Sequence, residues 1–154
     1  MPALAALSDL QGLWRGITHL WLSPAEPVRL SETTAAVTAI AQDQFTEIQY
    51  TWAEGGKPQE GRLILGQAPD SDAVKAVWFD TWHMQNEFMI CAGRSNPPNG
   101  VCVKGAYPAP YGPDWGWQIA IVPEGSTAFR LIMHNLPPDG QALLAVEAAY
   151  THQE

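Results

Sequence analysis

Apolar and polar residues alternate in short runs along most of the chain, and clusters of Pro, Gly, Asn and Asp separate the runs. A two-residue period marks a strand with one buried face, and such clusters mark hairpin turns. The runs predict strands over Trp14–Leu22, Leu30–Ala41, Gln44–Ala53, Glu60–Gln67, Ala73–His83, Phe88–Ser95, Val101–Ala106, Gly116–Val122, Ala128–Asn135 and Ala142–Thr151. Asn99-Gly100 and Asp139-Gly140 suit turns that need positive φ. The segment Pro2–Leu10 differs, because Leu4, Leu7 and Leu10 recur every three residues as on a short amphipathic helix. Ser8-Asp9 offers an alternative there, capping a separate turn before Gly12.

Consecutive strands with tight connections predict an up-and-down antiparallel meander. So long a sheet exposes two edges unless it closes, and closure removes them. The expectation is therefore an all-β, single-domain chain over residues 1–154: one closed antiparallel barrel of about ten strands with a short N-terminal helix. An eight-stranded barrel already has room for a small ligand, so a wider one leaves more. The first strand opens on Gly12-Leu13-Trp14-Arg15-Gly16. Its glycines allow bending or close approach of a neighbouring chain, and Trp14 is placed to plug one end.

Composition narrows the partners. Seven Trp are many for 154 residues, and their surfaces need a core or a cavity to line. The net charge of -8, with no Lys/Arg cluster, argues against nucleic acid and anionic membrane as partners. Met1 to Gln11 lacks a basic start and an apolar centre, no apolar run reaches membrane length, and two Cys make no disulfide framework. A soluble cytoplasmic protein is expected, with Cys91 and Cys102 as two buried thiols on neighbouring strands.

Three stretches carry candidate chemistry. Along Ala73–His83, alternation puts Trp78, Asp80 and Trp82 on one face, and Lys75, Val77, Phe79, Thr81 and His83 on the other. Two Trp flanking a carboxylate form a wall for a flat apolar ligand, or else Asp80 serves only to satisfy a neighbouring N–H or Arg. Along Phe129–His134, either Arg130 and His134 line the interior or Phe129, Leu131 and Met133 do. An inward Arg130 would grip a planar anion. Tyr107 to Trp115 is the longest irregular segment, and its Tyr111 and Trp115 are placed either to fold over the mouth as a lid or to pack as an ordinary surface loop. The four His are scattered, without a metal-ligand spacing, and no nucleophile elbow or phosphate loop occurs, so no metal site is expected. Acid–base chemistry would require Asp80 to meet His134 or His83.

Gly12-Leu13-Trp14 on a first strand resembles the Gly-x-Trp signature of calycins, the superfamily of lipocalins and fatty-acid-binding proteins. The order of later segments extends the likeness: Gly55-Gly56, Gly61-Arg62-Leu63-Ile64-Leu65-Gly66, Val77-Trp78-Phe79-Asp80 and Glu147-Ala148-Ala149-Tyr150. Together they resemble a bacterial family of calycin-like barrels of unknown function over nearly the whole chain. The resemblance implies a closed barrel of about ten strands, commonly paired into dimers, with Arg130 set against Trp14. Haem-binding nitrobindin-like barrels carry an axial His on a late strand, and that likeness would put haem on His134. Apart from that alternative, no cofactor is expected.

The function expected from these features is binding of a small, largely apolar or aromatic ligand inside the barrel, contacted by Trp14, Trp78, Asp80, Trp82, Arg130, His134, Tyr111 and Trp115. The alternatives are an enzyme using Asp80 with His134 or Arg130, and a homodimeric interaction protein with outward aromatics such as Trp21. The ligand reading requires a hollow; a solid interior would remove it.

Overall fold

Ten strands form in chain order: β1 (Gly12–Leu20), β2 (Arg29–Ile40), β3 (Phe45–Glu54), β4 (Lys57–Gln67), β5 (Ala73–Asp80), β6 (Met89–Ser95), β7 (Val101–Tyr107), β8 (Trp115–Glu124), β9 (Ala128–Leu136) and β10 (Leu143–His152). The computed structural model describes residues 4–96 and 99–153, so Pro2, Ala3, Pro97 and Pro98 of the expected helix and turn lie outside the described residues. Each strand pairs antiparallel with the next, and β1 pairs with β10 to close the barrel. Gly16 sits on that seam: a Cβ there would stand 1.7 Å from the Ala149 carbonyl oxygen on β10, so any side chain would prise the two strands apart.

Period-two alternation fixes the interior. Ile48, Tyr50 and Trp52 of β3, Leu63 and Leu65 of β4, Val74, Ala76 and Trp78 of β5, and Ile119 and Ile121 of β8 are all buried. On β9 the alternation resolves in favour of Phe129, Leu131 and Met133, which are buried, while Arg130 and His134 face outward. The opposite parity would have buried a guanidinium and exposed three large apolar side chains, and both changes are unfavourable. Arg130 instead pairs on the outer wall with Glu124 at 3.2 Å and Glu147 at 3.4 Å. Placement of Arg130 and His134 in the interior is thereby corrected, and with it haem ligation from inside the barrel through His134.

One end of the barrel is stoppered. The N-terminal segment forms a 3-10 helix, Ala5–Leu10, that buries Leu7 and Leu10, with Leu4 buried just before it. Trp14 lies behind these leucines, fully buried, and its Nε1 donates to the Leu10 carbonyl at 2.7 Å. Its ring meets the edges of Phe129 and His152 with centroids 4.8 and 4.9 Å away, so an aromatic and an imidazole stand where the resemblance implied Arg130. Odd-numbered strands finish at the other end, the mouth, which residues 81–88 and 108–114 overhang.

One expectation about the wall also changes. Cys91 is buried and Cys102 exposed; both are free thiols, facing opposite sides of the wall. Burial pushes the Cys91 thiol up to about 11. Trp21 is half-buried beyond the end of β1 and stacks on His19. Among the described residues no helix is long and apolar enough to cross a membrane.

Candidate functional site at the barrel mouth

Strand β5 stops at Asp80, three residues earlier than its alternation suggests, because the Asp80 side chain turns the backbone. Oδ1 accepts the backbone N–H groups of Trp82 at 2.9 Å and His83 at 3.0 Å, an arrangement by which Asp caps its own turn. The chain then doubles back, and His83 comes to lie beside Asp80 rather than on the opposite face of a continued strand. Nδ1 of His83 is 3.2 Å from Asp80 Oδ1, close enough for electrostatic attraction but bent away from good hydrogen-bond geometry.

The other carboxylate oxygen is held from β3. Tyr50 donates its phenol to Asp80 Oδ2 at 2.7 Å, and Trp52 Nε1 donates to the same oxygen at 3.1 Å. Trp78 Nε1 donates in turn to the Tyr50 oxygen at 3.0 Å. Tyr50 reaches β5 across β4, and the residue between them in register is Gly61. A Cβ on Gly61 would stand 2.3 Å from both Cζ and Oη of Tyr50, so the missing side chain is the passage through which the phenol reaches its acceptor.

A buried carboxylate is tolerated when its oxygens are saturated with donors, and here they are. Burial alone would raise the Asp80 carboxyl, but the hydrogen bonding and charge of His83, with the Tyr50 phenol, outweigh it and hold the carboxyl below its ordinary value. Burial and the neighbouring Asp80 charge drive the Tyr50 phenol well above its ordinary range. Because Asp80 binds its proton less tightly folded than unfolded, the ionised network favours folding. That contribution is complete above the unfolded carboxyl value of about 4 and is lost as pH falls through the lower folded value. Acid titration followed by tryptophan fluorescence should therefore show a transition below about pH 4 that Asp80→Asn weakens. An unchanged acid limb would show that Asp80 does not govern it.

Tryptophans surround this pair. The His83 ring centroid lies 5.6 Å from that of Trp52, 5.7 Å from Trp78, 4.8 Å from Trp82 and 5.3 Å from Trp117. Trp78 and Trp117 stack on one another at 5.4 Å. Below the cluster, the interior pocket bounded by Thr18, Leu20, Leu131, Met133 and Tyr150 measures only about 10 Å³, room for one water at most. Above it, a cleft of about 660 Å³ opens between the two overhanging loops, lined by Trp78, Trp82, His83, Phe88, Tyr107, Trp117 and Asn135 among others. A second groove, of about 650 Å³, crosses the outer wall over Phe45, Ile64, Val77 and Ile90.

The expected contact residues thus separate. Trp78, Asp80 and Trp82 meet at the mouth; Trp14 is at the stoppered end; Arg130 and His134 are outside. Tyr111 is 92 % exposed. Trp115 opens β8, half-buried and paired with Tyr107. Neither Tyr111 nor Trp115 borders the cleft, and only Tyr107 and Pro108 at the base of their loop do, which corrects the expected lid. Asp80 does not meet His134 or Arg130, so the acid–base pairing proposed through them is replaced by Asp80 with His83. Sequence reasoning missed Tyr50, Trp52, Gly61 and Trp117; the alternation Ile48, Tyr50, Trp52 was the available signal for two of them.

Comparison with known proteins supplies a family and a fold. Residues 2–152 match a family model described as "Protein of unknown function (DUF1579)". No curated protein matches the chain. The crystal structure of Rv2717c from M. tuberculosis is similar, with a TM-score of 0.66 and 14% identity over 99% of each chain. The S-type phycobiliprotein lyase CPES from Guillardia theta is similar with a TM-score of 0.64 and 9% identity, over 96% of this chain and 90% of that one. At these identities the likeness is one of fold.

Proposed function

This chain belongs to the DUF1579 family of proteins of unknown function, and from that footing we propose that it binds a small, flat, largely apolar or aromatic molecule in the cleft at the barrel mouth. The observation that carries this reading is the pairing of a filled interior with an open, tryptophan-walled cleft of about 660 Å³. That volume suits a small organic ligand, and aromatic walls with a few placed polar groups are the usual lining of such sites. A ligand deep inside the barrel, the expectation from strand number alone, finds only about 10 Å³ there. Large side chains such as Tyr50, Trp78, Phe129 and Tyr150 occupy the space. The likeness to a phycobiliprotein lyase supports the architecture and not the substrate.

Titration with the uncharged fluorophore N-phenyl-1-naphthylamine tests the reading. One saturable site is expected, with Trp82→Ala weakening it about tenfold through lost ring contact. Phe45→Ser, in the outer groove, should leave it unchanged. Absence of saturable binding, or equal weakening by both variants, would refute the mouth as the site.

A further inference from the structure

Two ring nitrogens of the cleft-lining residues make no hydrogen bond to the described residues. Trp117 is 5 % exposed, and its Nε1 is buried without an acceptor. Buried donors are nearly always paired, so an orphan on a cleft wall calls for a partner from outside the chain. His83 supplies the second. Its Nδ1 faces the Asp80 carboxylate, where a lone pair would be repelled and an N–H attracted, so the neutral ring carries its proton on Nδ1. Nε2 is then a bare acceptor, and it makes no hydrogen bond to any described residue. His83 borders both the interior pocket and the cleft, and its ring centroid is 5.3 Å from that of Trp117. One donor and one acceptor therefore belong to neighbouring rings of a largely aromatic wall.

Resting on the cleft as a ligand site, we infer that its occupant is a flat aromatic or conjugated molecule bearing a hydroxyl, a phenol or enol, whose oxygen accepts from Trp117 Nε1–H and donates to His83 Nε2. A hydroxyl is the simplest group that does both with one atom. A carboxylate fits poorly. It has no proton to give Nε2, the cleft lining contains no Lys or Arg to neutralise it, and Glu87 lies on the same wall. Purely hydrocarbon ligands fill the aromatic surface but leave both nitrogens unpaired.

Competition against N-phenyl-1-naphthylamine at neutral pH separates the classes, using naphthalene, 2-naphthol, 2-methoxynaphthalene and 2-naphthoate. The expected result is that 2-naphthol competes about tenfold more tightly than naphthalene, the worth of one to two net hydrogen bonds. The methyl ether, which accepts but cannot donate, should fall well short of 2-naphthol, and 2-naphthoate should be weakest. An unpartnered hydroxyl would instead weaken binding, since its burial costs free energy. Equal competition by naphthalene and 2-naphthol, or a preference for 2-naphthoate, overturns the inference while leaving the cleft as a binding site. Failure of the fluorophore itself to bind overturns the earlier reading. His83→Phe and Trp117→Phe should each remove the hydroxyl preference and retain naphthalene; a preference that survives both places the hydroxyl elsewhere and overturns the assignment. Nitrogen-15 shifts of the His83 ring in the unmutated protein at neutral pH give a check that needs no variant: Nδ1 protonated and Nε2 bare is expected, and either the reverse tautomer or a ring protonated on both nitrogens overturns the inference.

Discussion

Asp80→Ala should lower the free energy of unfolding by roughly 4 kcal/mol, in the range seen when one partner of a buried charged network is removed. The substitution leaves the Tyr50 phenol, Trp52 Nε1 and the backbone N–H groups of Trp82 and His83 without their acceptor at once. Each buried donor left unpaired costs about 1–3 kcal/mol, and relaxation of the 81–88 turn toward water recovers part of the sum. Urea unfolding at neutral pH measures the change. Asp80→Asn keeps an acceptor oxygen and should cost less. A loss below about 1 kcal/mol for the alanine variant would show that the carboxylate does not hold the mouth together.

Gly61→Ala should be almost as damaging, at about 3 kcal/mol, although it adds a single methyl group to a strand. The new Cβ would overlap the Tyr50 ring at 2.3 Å, so the buried ring would have to shift away from the position in which its phenol bonds Asp80. The effect is specific to that ring. In a Tyr50→Leu background, where no atoms reach the position of Cζ and Oη, the same substitution should cost about 2 kcal/mol less. A double-mutant cycle reads that coupling directly. Additive costs would mean that Gly61 is needed for some other reason.

The wall of this protein was legible because one-sided burial writes a two-residue period into every strand, and because Pro and Gly fall in the breaks. The expected strand bounds differ from the observed ones by a few residues at most. Facing was legible only where one parity is plainly apolar. On β9 both parities contain large side chains, and the decision rests on Glu124 and Glu147 being at hand outside to pair with Arg130, which is a tertiary fact. The site was less legible. Trp78, Asp80 and Trp82 were gathered correctly, but alternation carried past Asp80 put His83 on the wrong side. A side chain that accepts N–H groups two and three residues ahead ends a strand, and period counting does not register it. Tyr50 and Gly61 matter through a contact across three strands, which depends on register. The hollow was inferred from strand number, whereas free volume depends on how far the inward side chains reach.

The stopper formed by Leu4, Leu7, Leu10 and Trp14 also fixes where the described ends of the chain emerge. Leu4 is there, and Gln153 is anchored there too, its N–H donating to the Leu13 carbonyl at 2.8 Å. A fusion partner, affinity handle or chip linkage attached beyond either end would hang from the underside of the can. Such a tether leaves the tryptophan rim facing solution, so immobilised protein should capture the same compounds as free protein.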